Sequence, residues 1–519
     1  MSFDPMRGVK ILAAAVAALT LMSGSPALAA EPAPPAEFGR DWDDPRTAAP
    51  PVAKPSGPSC STTIVDTEFR DFTPYTSTYQ PVCPGPWRKV VLRLEGAVAG
   101  RQFDRLGYLK VGGVTVFKTS TPEPSADGIR WSVEKDLTEY AGLLAGPQPI
   151  EMLIGNVVDG TYTGVLDVTV QLTFYRGRAA PAPEVLPVGR ALPRNTERLF
   201  ADVYATGSGG GCEEFWYLTT PTGVPYSCPA DNGPYREVQV RVDGTLAGIA
   251  APYPHVYTGG WSNPFLWYVL PAPRAFDIQP IRYDLTPFVG LLTDGKPHAI
   301  TVDVAGVPAG QSGWDVPTAV LAWRDHGSAQ VTGGLLATQE QPAVNDSVYS
   351  APALKTTGGH GLTVTGYVDT SHGRVTTTVG RTVANTSTHT WNADETNDAL
   401  RAVWTDKTQV TVRHGRSRPS TTTTTRRYGM TGAITIDGAD RLTTTMKLVD
   451  AATTADSTLL DTWQGEASWT LNVPREERHA TGSSTERYRL RRPGPDYDHT
   501  IATVNGTVVT DQQGYEPPL

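Results

Sequence analysis

Leu166-Asp167-Val168-Thr169-Val170-Gln171-Leu172-Thr173-Phe174 alternates an apolar and a polar side chain at every step. In an extended chain, successive side chains point to opposite faces. The run therefore has one face for a core and one for water, which is the period of a half-buried strand. The same period appears at Val238, Val240 and Val242, and at Ile300, Val302 and Val304. Asp243-Gly244 and Asn505-Gly506 fall between β-rich runs. Both dipeptides tolerate positive φ, so they predict tight hairpin turns.

An internal repeat extends this reading. Asp136-Leu137-Thr138-Glu139-Tyr140-Ala141-Gly142-Leu143-Leu144 recurs as Asp284-Leu285-Thr286-Pro287-Phe288-Val289-Gly290-Leu291-Leu292. Each copy is followed by a Gly/Pro turn and a strand-like run, Ile150–Ile154 and His298–Val304. A matched string with a matched continuation points to two related lobes. The predicted fold is all-β: two tandem jelly-roll-like β-sandwiches plus a β-rich C-terminal region. The lobes are placed at 59–177 and 195–328, with a Pro/Ala-rich linker at 178–194. A Thr-rich region, 329–519, shows no third copy of the repeat.

The composition agrees. The 519 residues include Gly 51 and Pro 44, with 39% hydrophobic residues, so disorder throughout is excluded. The net charge of −9 leaves no dominant basic stripe for nucleic acid. Arg7 and Lys10, the apolar run Ile11–Met22 and the Ala27-Leu28-Ala29 site read as a signal peptide over 1–29. Residues 30–58 read as a flexible or extended leader. Four cysteines remain after cleavage. Three pairings are possible, and the sequential one, Cys60–Cys83 and Cys212–Cys228, is expected because it closes short local loops. No Cys or His spacing suggests a structural metal.

Two acids stand out. Asp104, in Gly100-Arg101-Gln102-Phe103-Asp104-Arg105, has an Arg on each side. This suits a strand-end salt bridge and an oriented carboxylate alike. Glu214, in Gly211-Cys212-Glu213-Glu214-Phe215-Trp216-Tyr217, follows a half-cystine and precedes three aromatic residues. If that segment is extended, only one of Glu213 and Glu214 shares the buried or functional face. Trp261 and Trp267, in a Gly/Asn/Pro loop, suit carbohydrate stacking or core packing equally. An acid from each lobe meeting in a cleft would supply the pair that hydrolysis of an unactivated bond needs.

These strings resemble a known family. Gly100–Arg105, Pro122-Glu123-Pro124, Trp131–Thr138, Thr161-Tyr162-Thr163-Gly164, Gly211–Tyr217 and Pro234-Tyr235-Arg236-Glu237-Val238 are similar to peptide-N-glycosidase A-type amidases. These are peptide-N4-(N-acetyl-β-glucosaminyl)asparagine amidases. The match covers about residues 58–306, and a more distant similarity is to peptide-N-glycosidase F. The resemblance implies hydrolysis of the Asn side-chain amide to the first GlcNAc of an N-linked glycan, giving Asp and a glycosylamine. It implies Asp104 and Glu214 as catalytic residues, with Arg105 setting the Asp rotamer. Arg105, Glu213, Trp216, Asn156, Trp261 and Trp267 are the expected substrate-binding residues. Asn156 stands where that more distant relative carries a third acid. No cofactor is implied. The expected partners are N-glycosylated peptides or proteins, with no nucleic acid and no stable membrane association, and the expected state is a secreted monomer. A glycosidase and a non-catalytic glycan-binding protein are the alternatives.

Overall fold

The computed structural model describes residues 45–514, apart from 125–127, 179–180, 210–211, 260, 262–263 and 475–476. The expected signal peptide and the first part of the leader lie outside the described residues.

The first lobe has eight strands: β1 (Ser59–Phe69), β2 (Tyr75–Tyr79), β3 (Trp87–Val98), β4 (Leu106–Val111), β5 (Val114–Ser120), β6 (Ile129–Asp136), β7 (Gln148–Ile154) and β8 (Leu166–Arg176). They form two four-stranded sheets in the orders β1-β8-β3-β6 and β2-β7-β4-β5. That is the strand order of an eight-stranded jelly roll. In β8 the apolar members of the quoted alternation are all buried. Cys60–Cys83 clips the start of the lobe, with Cα atoms 5.7 Å apart.

The second lobe contains β9 (Glu184–Pro187), β10 (Thr196–Val203), β11 (Thr206–Gly207), β12 (Glu237–Val242), β13 (Thr245–Ala250), β14 (Ile281–Asp284), β15 (Ile300–Ala305), β16 (Trp314–Asp315) and β17 (Thr318–Arg324). Its sheets run β14-β10-β17-β9 and β13-β12-β15, with the short pair β11-β16. Strand β9 falls inside the segment expected as a linker. Val185 and Leu186 pair with Leu321 and Val320 at the sheet edge, because the segment holds four consecutive residues able to extend the ladder. The β12–β13 hairpin turns at Asp243-Gly244 with φ of 47° and 80°, as expected.

The repeat is one local device used twice. Asp136 accepts the Thr138 N–H at 3.0 Å, and Asp284 accepts the Thr286 N–H at 3.0 Å. Each aspartate opens a 3₁₀ turn that buries the intervening leucine, Leu137 or Leu285. The repeat glycine is required only in the second copy. A Cβ on Gly290 would lie 2.2 Å from the backbone of Gly333, so it lets the C-terminal sheet approach.

That C-terminal sheet has ten antiparallel strands in chain order, from Thr332–Ser350 to Thr507–Gln513. Its inner face lies on the second lobe. Trp463 Nε1 donates to the Leu270 carbonyl at 2.8 Å, and Asp406 accepts the Ala251 N–H at 3.2 Å. A Cβ on Gly358 would sit 2.3 Å from the Tyr235 ring, so this contact too needs a glycine.

The described part of the leader is extended but not loose. Ala48 is fully buried; its N–H donates to Glu486 at 2.7 Å and its carbonyl accepts from Tyr497 at 3.1 Å. Lys54 pairs with Glu134 of the first lobe at 2.6 Å. The anchoring of Ala48 has a simple cause that no local reading reaches: Glu486 and Tyr497 lie more than 400 residues away in the chain.

Candidate active site

Asp104 lies in the turn before β4, and neighbours on both sides are clamped. Arg101 exchanges backbone bonds with the loop at 163–164: its N–H donates to Thr163 Oγ1 at 3.1 Å, and its carbonyl accepts the Thr163 N–H at 2.9 Å. Gln102 is buried and donates to the carbonyls of Val157 and Gly164 at 2.9 and 3.1 Å. The Arg105 N–H donates to Thr121 Oγ1 at 2.9 Å. Between these fixed points the Asp104 side chain keeps part of its surface.

Glu214 comes from the second lobe. Cys212–Cys228, with Cα atoms 5.8 Å apart, closes the loop from which it emerges. The segment Glu213–Leu218 is a kinked 3₁₀ turn, not the extended chain that the alternation argument supposed. A 3₁₀ turn also separates neighbouring side chains, so one glutamate is still sent inward and the next outward. Glu213 goes in: Arg236 Nε donates to its Oε2 at 2.9 Å, Arg236 Nη2 donates to its Oε1 at 2.5 Å, and the Trp314 indole N–H also reaches it. Glu214 keeps part of its surface, like Asp104.

A third segment joins the two. Thr258 Oγ1 donates to the Thr121 carbonyl at 3.1 Å and accepts the Glu123 N–H at 3.0 Å, stitching second lobe to first. The backbone of the next residue, Gly259, comes up against Asp104, and its N–H favours the ionised carboxylate. A Cβ there would stand 2.2 Å from Asp104 Oδ1, so only glycine allows this approach.

The electrostatics follow from this closeness. Burial pushes the Asp104 carboxyl up, opposed by the Gly259 N–H and the Arg105 charge. Burial and then the Asp104 charge push Glu214 up to about 8. The two acids thus share one field and titrate as a pair. Glu214, pushed to about 8, is the member that keeps a proton near neutral pH. The Gly259 N–H and the Arg105 guanidinium favour charge on Asp104, against the burial that opposes it.

The expected binding residues divide. Arg105 stands beside Asp104 and acts on it through charge, while its guanidinium hydrogen-bonds Gln102. The other five are structural. Asn156 is fully buried; its Nδ2 donates to Phe69 and Gly164 carbonyls at 2.9 and 3.1 Å, which uses its amide to hold the loop under Gln102. Glu213 is consumed by Arg236. Trp216 is buried against Trp404, with ring centroids 5.3 Å apart. Trp261 is buried and donates to Thr444 at 3.1 Å. Trp267 is fully buried. A core site for each removes it from any substrate.

Sequence reasoning missed Gly259, Tyr257 and the Phe103–Tyr162 pair. Those two rings lie 5.3 Å apart and half exposed beside Asp104. The available signal was the Gly-rich loop at 259–260, read there for its tryptophans.

Two other features lie apart from the acid pair. A cavity of about 1040 Å³ between the leader, both lobes and the C-terminal sheet is lined by neither acid. Among the described residues, Glu197, Asp325 and His372 are close enough to share an ion. Asp325, however, already accepts N–H groups of Gly327 and Ser371 at 2.9 and 2.6 Å, which reads as a turn anchor.

Comparison with known proteins gives three findings. A family model described as peptide N-acetyl-beta-D-glucosaminyl asparaginase amidase A matches residues 47–341. The chain is 30% identical over 386 residues to peptide-N4-(N-acetyl-beta-glucosaminyl)asparagine amidase A of Prunus dulcis, covering 63% of this chain and 66% of that protein. The solved structure of PNGase F, a glycosylasparaginase from Flavobacterium meningosepticum, overlaps with a TM-score of 0.36 at 12% identity, covering 52% of this chain and 96% of that one.

Proposed function

The chain belongs to the peptide N-acetyl-β-D-glucosaminyl asparaginase amidase A family, and from that premise we propose that it hydrolyses the Asn side-chain amide to the first GlcNAc of N-linked glycans. One observation carries the reading to this chain's own residues. An acid from each lobe, Asp104 and Glu214, shares one electrostatic site, with the Gly259 backbone packed against the first. In the proposed reaction, ionised Asp104 takes a proton from water while the water oxygen adds to the amide carbon. The carbon–nitrogen bond breaks, and that proton passes to the departing sugar nitrogen. The products are Asp and a glycosylamine. Glu214, which keeps its proton near neutral pH, orients the water and hydrogen-bonds the first sugar. The protein is proposed to act after export; its two disulfides support an oxidising compartment.

Incubation with an N-glycopeptide, followed by mass analysis, tests the reading. Conversion of the attachment Asn to Asp is expected. A peptide left with a sugar on Asn, or with nothing changed, defeats it.

The pH profile is a separate expected result. A proton required on Glu214 is present below its raised value of about 8 and lost above it, so kcat/KM falls as pH rises through about 8. In Glu214→Gln that alkaline limb disappears, and the remaining rate is lower by about a hundredfold. An unchanged limb in the variant would assign it to another group.

A further inference from the structure

We propose that Tyr257 is a positioning residue for Glu214: its unpartnered hydroxyl is the donor that the Glu214 carboxyl takes up when that side chain turns to it, which fixes one orientation of the acid. The inference rests on the amidase reading of the acid pair. Tyr257 belongs to the segment that Thr258 and Gly259 fasten across the lobes. Its ring packs with Tyr204 and Ile278, and with Leu106. Leu106 opens β4 two residues after Asp104. Tyr204 leads into β11, where a Cβ on Gly207 would meet the Glu213 carbonyl at 2.1 Å. The ring is thus wedged between the two acid-bearing segments. On another side it stacks on His255, with centroids 5.8 Å apart and planes within 2°.

The hydroxyl is buried and has no hydrogen-bond partner. A Phe would fill the same core at less cost, since a buried polar group without a partner is penalised. Tyr204, in the same cluster, shows the ordinary solution: its hydroxyl donates to the Val116 carbonyl at 3.1 Å. The groups that act on the Tyr257 hydroxyl are Glu214, Asp104 and the Tyr217 hydroxyl, while Arg105 with Tyr162 beyond it acts on Asp104's side. Burial, then the two acids, pushes Tyr257 far above an ordinary tyrosine, so it stays a protonated donor. A donor in want of an acceptor, beside a carboxyl that must keep one orientation, defines the role. The proposed bond forms when Glu214 turns to that hydroxyl.

The test uses the full chain and Tyr257→Phe, which removes no existing hydrogen bond and should keep its melting temperature. The expected kcat is lower by about tenfold, the size of one lost bond to a carboxyl, with KM within about twofold. The alkaline limb should move to higher pH, because ionised Glu214 loses a donor. In a Glu214→Gln background, Tyr257→Phe should have no further effect on the profile. A second readout does not depend on activity. Infrared titration of the Glu214 carboxyl, taken as the difference between wild type and Glu214→Gln, should show a higher midpoint when Tyr257 is Phe. An unmoved midpoint, or a loss of rate that persists in full without Glu214, overturns the proposal. Failure of wild type to release the Asp peptide overturns the amidase reading instead, and leaves the midpoint to decide the role of Tyr257.

Discussion

Asp104→Asn is expected to leave a folded protein that releases glycan from an N-glycopeptide about a hundred- to ten-thousandfold more slowly, the range for loss of a general base. The substitution preserves shape. The Asn side chain fits the same space against Gly259. The clamps on Arg101, Gln102 and Arg105 run through backbone atoms and the Gln102 amide, not through Asp104. Only the capacity to take a proton is lost, so kcat should carry the effect while KM changes little. Glu214 should respond as well. Without the Asp104 charge its value of about 8 moves down towards that of an ordinary buried glutamate, and whatever activity remains should lose its alkaline limb at lower pH. Turnover within tenfold of wild type would assign the base to another residue and dissolve the proposed pair.

How much of this was legible in the sequence depends on the reach of each interaction. The alternation in β8 and the Asp-Leu-Thr repeat are written locally, because period and capping are decided within a few residues. The two acids were found by the strings around them. The tryptophans were misread for the opposite reason. Trp261 is buried by Thr444 and by Gly432, whose Cβ would lie 2.5 Å from its ring, and both come from a sheet that folds back over the loop. The covering strands are rich in Thr, so they give little hydrophobic signal of a face that buries aromatic rings. In the strand Ser420–Ile436 the Thr run at 421–425 is exposed or half exposed, while Tyr428, Met430 and Ile434 turn inward. Gly259 was hidden by its silence: a residue valued for lacking a side chain leaves no chemical mark.

The largest effect on stability is expected from Arg236→Met. Arg236 and Glu213 are both essentially without exposed surface, and the pair is bidentate. Removing only the cation strands a carboxylate in the core, which costs about 3–5 kcal/mol. The Trp314 N–H remains as a donor but does not neutralise the charge. Little room exists for relief. Gly207 and Gly313 press on Glu213, where built Cβ atoms would lie 2.1 Å from its carbonyl and 2.9 Å from its Cβ. Glu213→Gln/Arg236→Met should recover much of the loss, since an amide can keep the Trp314 bond without a buried charge. Denaturant midpoints of wild type, both single variants and the double variant form the cycle, and additive costs would show that the two side chains do not depend on each other. The cost matters to chemistry because Glu214 follows Glu213 in one 3₁₀ turn. The buried ion pair fixes the inward glutamate, and so fixes the direction in which its neighbour can face. Arg236→Met assayed well below its melting temperature should therefore lose kcat even while folded, whereas the double variant, which restores a neutral anchor, should regain part of it.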